Sequence, residues 1–116
     1  MIEDGWLSQA KRGVLELCIL NLVSRESVYG YQIVKRLTSV PELVTTPGTI
    51  YPLLSRLRRE GLLASKLVES SLGPVRRTYE LTAAGRRHMQ DANEAWREIV
   101  KAVDEIMGKG KLDKGA

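Results

Sequence analysis

The chain has 116 residues, 43% of them hydrophobic and 28% charged, with a net charge of +4 and a pI near 9.4. This length suits one domain with one core, and the composition excludes a disordered chain. Cys18 is the only cysteine, which excludes an intrachain disulfide and points to a reducing cytoplasm.

No apolar run is long enough to cross a bilayer, and the acidic start MIEDGW lacks the pattern of a signal peptide. Over residues 5–23, Leu7, Val14, Leu15, Leu17, Cys18, Leu20 and Leu22 predict a mostly buried first helix. SRESVYG breaks it, and Ser27 is the expected cap of a second helix over residues 28–38, with Tyr31, Ile33, Val34 and Leu37 inward. In the connection SVPELVTT, Leu43 and Val44 are expected to form a very short strand.

A third helix is expected over residues 47–60. Thr46 is its N-cap, and Pro47 sits where a missing N–H costs nothing. Ile50, Leu53, Leu54 and Leu57 share one face; Gly48, Tyr51, Ser55 and Arg59 lie opposite, with Arg56 and Arg58 on the flanks. Pro52 removes a hydrogen bond to the Gly48 carbonyl and is expected to bend the first turn. Residues 63–69 and 75–81 read as strands around the turn SSLGP. Thr82 caps a long last helix over residues 83–107, and GKGKLDKGA reads as a solvated, frayed end. The predicted class is mainly α with a small β-hairpin. Residues 1–81 form a winged helix-turn-helix, 82–108 a C-terminal dimerisation helix and 109–116 a flexible tail.

A duplex needs cations near its phosphates and short polar or planar groups at its base edges. The third helix offers Thr46, Gly48 and Thr49 at its N-terminus, where backbone N–H groups favour phosphate. Tyr51 and Ser55 follow on the outer face, with Arg56, Arg58 and Arg59 placed for the backbone. Lys35 and Arg36 of the second helix add further phosphate contacts. Arg76 and Arg77 open the second strand of the hairpin. Adjacent strand residues face opposite ways, so at most one points straight at DNA. The other is expected to pair with an acid such as Glu69 or to serve the flank. Charges opposite an apolar stripe usually mark only a solvated face. The order helix, helix, basic helix, basic hairpin is what favours double-stranded DNA as partner.

In the last helix Met89, Ala92, Trp96, Ile99, Val103 and Ile106 follow a 3, 4, 3, 4, 3 spacing, a heptad seam that predicts a homodimer. Two readers related by a two-fold axis suit a dyad-symmetric operator. Trp96 sits mid-seam, where it either fills the dimer core or stacks on a planar aromatic ligand; Trp6 either joins that interface or caps its edge. His88 has no metal-ligand partners at useful spacing and reads as a solvated helix residue, and no metal or cofactor is expected. Nothing resembles a nucleophile with a base, a metal cluster or a phosphate loop, so no enzyme is expected. The competing class is a winged-helix protein-interaction module that binds no DNA. It calls for an apolar outer face on the third helix, where only Tyr51 and Pro52 fit.

The segments VYGYQIVKRL, GTIYPLLSRLRREGLL and RRTYELTAAGR resemble the PadR family of bacterial transcriptional regulators, over about residues 10–108. The resemblance implies a winged-helix dimer that represses nearby genes and releases DNA on binding a small molecule. The single helix after the hairpin is similar to the short branch that includes multidrug-binding regulators, rather than the phenolic-acid-sensing branch. Tyr31, Tyr51 and the Gly48-Thr49 entry match positions tied to DNA contact or to placing the recognition helix, and Arg76 and Arg77 match the basic wing. Trp96 corresponds to a tryptophan that lines a flat pore at the dimer centre of a drug-binding member. Val14, Cys18 and Ile99 are bulky enough for a closed interface instead.

Overall fold

The computed structural model describes residues 4–70 and 72–109. The described residues form four α-helices and a three-stranded antiparallel sheet: α1 (Asp4–Leu22), β1 (Val28–Tyr29), α2 (Gly30–Thr38), α3 (Pro47–Arg59), β2 (Leu63–Ser70), β3 (Gly73–Leu81) and α4 (Ala83–Lys109). The sheet order is β1-β3-β2. The core lies where α1, α2 and α3 meet, around Ile19, Leu20, Ile33, Leu37, Ile50, Leu54 and Leu57, and it is closed by Leu63 and Tyr79 from the sheet. Burial of these apolar side chains removes them from water and is the main force holding the helices together.

The second helix begins later than expected. Val28 and Tyr29 pair with Tyr79 and Thr78 of β3, so the first residues assigned to the helix belong to the sheet. Ser27 therefore does not cap α2. Tyr29 is the N-cap, and its backbone N–H donates to Gln32 Oε1 at 3.0 Å. Tyr31, expected inward, is 45% exposed.

The expected strand at Leu43 and Val44 is absent. Pro41–Leu43 is a 3-10 turn, and Val44 is left-handed at φ 42°. The N–H groups of Leu43 and Val44 donate to Val40 and Pro41, which removes them from any sheet ladder. A β-branched residue with positive φ is strained.

The third helix starts at Pro47 with Thr46 as N-cap, as its sequence implies, although the Thr46 hydroxyl makes no capping bond. The helix is continuous through Pro52. It ends in a Schellman-type closure: Leu62 N–H donates to the Leu57 carbonyl and Gly61 N–H to that of Arg58, both at 3.0 Å. Gly61, at φ 79°, supplies the left-handed residue this closure needs.

α4 is fastened at its start. Thr82 Oγ1 accepts from Gly85 N–H at 2.9 Å and donates to the Gly61 carbonyl at 2.6 Å. Farther along, the side-chain amides of Asn21 and Asn93 exchange hydrogen bonds of 2.8 and 2.9 Å, tying α1 to α4. The helix runs through Lys109; residues 110–116 of the expected tail lie outside the described residues.

Candidate nucleic-acid interface

α3 buries Ile50, Leu54 and Leu57 and turns its other side outward. Thr46, Gly48, Thr49, Arg58 and Arg59 are exposed, Tyr51 is exposed and Ser55 half-buried. Lys35 and Arg36 are exposed in the last turn of α2. Arg56 is placed differently from the expectation of a free phosphate ligand. Its guanidinium holds Glu60 at 3.0 Å and approaches Glu16 of α1 at 4.0 Å. Its charge is already partly answered within the chain.

The hairpin arginines take different partners, and neither takes Glu69. Arg77 Nη1 donates to Ser65 Oγ across the sheet at 2.8 Å. Arg76 lies over the Tyr31 ring, 4.6 Å from its centroid, and Tyr31 in turn stacks on Tyr29 at 5.6 Å. The cation–π contact restrains an exposed, flexible cation beside the outer face of α3.

Gly30, Tyr31, Tyr51, Arg76, Arg77 and Tyr79 line a hollow of about 260 Å³ between the helix and the hairpin. Gly30 is where α2 crosses the sheet closely: a Cβ there would lie 3.2 Å from the Tyr79 ring and 3.6 Å from that of Tyr51. Burial raises the Tyr79 phenol above its ordinary value, and Arg77 and Arg58 pull it partly back. Tyr29 and Tyr79 were not singled out from sequence. The alternation around β3 could have marked Tyr79 as inward-facing, but nothing local marks Tyr29.

The seam of α4 divides. Met89 is 8% exposed and belongs to the chain's own core, so it is not a surface offered to a second copy. Ala92 is half-buried, whereas Trp96, Ile99, Val103 and Ile106 are exposed. Trp96 forms one wall of a groove of about 310 Å³ between α1 and α4, with Val14, Leu17, His88, Ala92 and Ile99. Trp6 is exposed and does not line that groove; Cys18 does not line it either. His88 Nε2 lies 3.8 Å from Glu16 Oε1, so this expected solvated residue has a neighbour of opposite charge whenever it is protonated.

A helical unit with a basic third helix turned outward and a three-stranded sheet whose β2–β3 hairpin flanks that helix is the winged-helix arrangement of a transcription regulator. Residues 19–91 match the Transcriptional regulator PadR-like family, and the chain belongs to that family. It is 32% identical to the transcriptional regulator Rv3488 of Mycobacterium tuberculosis, over 84% of this chain and 89% of that protein. It is similar in structure to a PadR-like transcription factor from Bacteroides fragilis (37% identity, TM-score 0.73, covering 89% of this chain and 99% of the other). A PadR-like transcriptional regulator from Bacillus cereus aligns at 36% identity and TM-score 0.75, over 85% and 96% of the two chains. Among the described residues no helix is long and apolar enough to cross a membrane.

Proposed function

We propose that this regulator is a cytoplasmic repressor. It binds a dyad-symmetric operator as a homodimer through α3 and the hairpin. The observation that carries the DNA-binding surface is Arg76, braced on the Tyr31 ring at the edge of the hollow it shares with Tyr51. Tyr51, Ser55 and the N-terminal turn of α3 enter the major groove. Arg58, Arg59, Lys35 and Arg36 meet the flanking phosphates, and Arg76 holds the adjacent backbone. The dimer forms through the outer part of α4, where Trp96, Ile99, Val103 and Ile106 make a continuous apolar stripe that the chain leaves uncovered. The two readers then address half-sites about 34 Å apart.

The groove beside Trp96 supports effector control of the kind seen in the short, multidrug-binding branch. A planar aromatic molecule stacks on the indole, changes the angle between the α4 helices and releases the operator. Selection from a random duplex pool, followed by sedimentation of the complex, tests the reading. The expected result is a palindromic sequence bound by two chains. Recovery of no preferred sequence, or a stable monomer on DNA, overturns it. Quenching of Trp96 fluorescence by planar aromatic compounds, coupled to operator release, tests the effector step.

A further inference from the structure

α1 brings two cations, Lys11 and Arg12, beside α3, and neither the family match nor the winged-helix surface assigns them. An open cleft of about 940 Å³ runs between the two helices, walled by Lys11 and Arg12 of α1 and by Thr49, Arg56 and Arg59 of α3. Tyr51 faces the hairpin hollow, and helical spacing puts Thr49 and Arg56 on the opposite flank of α3. The cleft therefore lies on the side of the reader away from the hairpin.

Among the described residues Glu16 is the one acid in its lining; Arg56 is paired with it and with Glu60, which leaves Lys11, Arg12 and Arg59 as the cations no acid answers. Arg12 and Arg59 are exposed, and their side chains make no hydrogen bond or ion pair with another described residue. Lys11 Nζ donates to the Val44 carbonyl at 2.7 Å. That bond fixes the ammonium at the cleft wall and leaves two of its three N–H donors unused.

The arrangement selects among anions. A small anion held tightly needs donors converging in a desolvated pocket. Here the cleft is open, Arg12 and Arg59 are solvated, and the cations stand on both walls, Lys11 and Arg12 on α1 and Arg56 and Arg59 in the last turn of α3. A polyanion needs only such an open set, because binding is driven by release of its condensed counterions. A helix in the major groove also has a phosphate strand on each side, about 12 Å apart. The hairpin serves one side.

We infer that Lys11 and Arg12 form a second phosphate-binding flank that holds the DNA backbone on the side of α3 opposite the hairpin. This rests on the DNA-binding reading above and extends its footprint to α1.

The test is the slope of log affinity against log salt for the full chain on its selected operator and on a random duplex. Wild type, Arg12→Gln, the Lys11→Gln/Arg12→Gln double variant and Arg87→Gln are compared. Arg12→Gln leaves the Lys11–Val44 contact intact, so folding is preserved. Each lost phosphate contact flattens the slope by about 0.9, or roughly 1.8 for a two-fold dimer. Arg12→Gln is expected to do so, weakening both duplexes by the same factor, and the double variant to flatten it further. Arg87 is exposed on α4, two positions before the buried Met89; its loss of equal charge should leave the slope unchanged. A wild-type slope in Arg12→Gln, equal flattening in Arg87→Gln, or a change in sedimenting mass that accounts for the loss each overturns the α1 flank. A flat wild-type series overturns DNA binding itself and is read before any variant.

Discussion

Gly85→Ala tests how the last helix is joined to the reader. Gly85 is buried in the first turn of α4, under the start of the hairpin. A Cβ there would fall on the Leu62 carbonyl oxygen, far inside contact distance, with the carbonyl carbon at 2.9 Å and Leu81 Cδ2 at 3.1 Å. Ordinary carbon–carbon packing is about 3.5–4.0 Å. Clearing the carbonyl carbon alone thus needs a shift of roughly 0.6–1.1 Å. The obstacle is backbone, and the Leu62 carbonyl also accepts from Thr82 N–H at 3.2 Å, so it cannot swing away freely.

Two effects oppose each other. Alanine in place of glycine favours the helix by about 1 kcal/mol. Overpacking a closed contact costs about 1–3 kcal/mol, and a backbone obstacle lies at the high end. The net loss is about 1–2 kcal/mol, or roughly 4–8 °C in Tm for a chain of this size. Circular dichroism melts at one fixed protein concentration measure it, since a dimer's Tm depends on concentration. An unchanged or raised Tm in Gly85→Ala would refute the close approach and leave only helix propensity. If α4 carries the dimer, the same displacement moves one reader relative to the other along a helix about 40 Å long, and operator affinity should fall more than random-duplex affinity.

Thr45 Oγ1 is buried and has no hydrogen-bond partner among the described residues. Thr45→Val keeps the shape and removes an unsatisfied hydroxyl worth about 1–3 kcal/mol, so thermal melts should show a rise in Tm; a fall means the hydroxyl is satisfied. Tyr31→Leu removes the ring under Arg76, a contact of about 0.5–1 kcal/mol at an exposed site. Gel-shift titration should show a loss of about two- to five-fold in affinity, most of it absent when Arg76 is already alanine; a full additive loss in the double variant rejects the bracing role. Burial raises the Tyr79 phenol. A raised folded-state value means stability is intact below the ordinary tyrosine range near pH 10 and is lost as pH climbs through it. Urea titrations of Tyr79→Phe should show a shallower alkaline decline than wild type, and an identical decline would exclude Tyr79 as its source. Burial also raises the Cys18 thiol, only partly countered by Arg36. Alkylation at pH 8 should therefore be slower than for a free thiol, and an equal rate would show the site to be open.

The sequence by itself determined the elements that repeat. Ile50, Leu54 and Leu57 recur with helical period and are buried, and α4 carries a spacing long enough to read unaided. The hairpin, with Gly73 at its turn, and the order of the elements were legible for the same reason: local pattern and turn chemistry act over a few residues. Tertiary structure alone decided what depends on distant partners. β1 is two residues long, too short for any periodicity, and exists because Tyr79 and Thr78 lie beside it. Arg56 meets Glu16 from another helix, and Arg76 meets Tyr31 from another element; charge and ring are visible in the sequence, but their pairing is not. Met89 and Trp96 share one heptad stripe, yet one is buried by its own chain and the other left in water. Spacing says which residues share a face; only packing says what covers it.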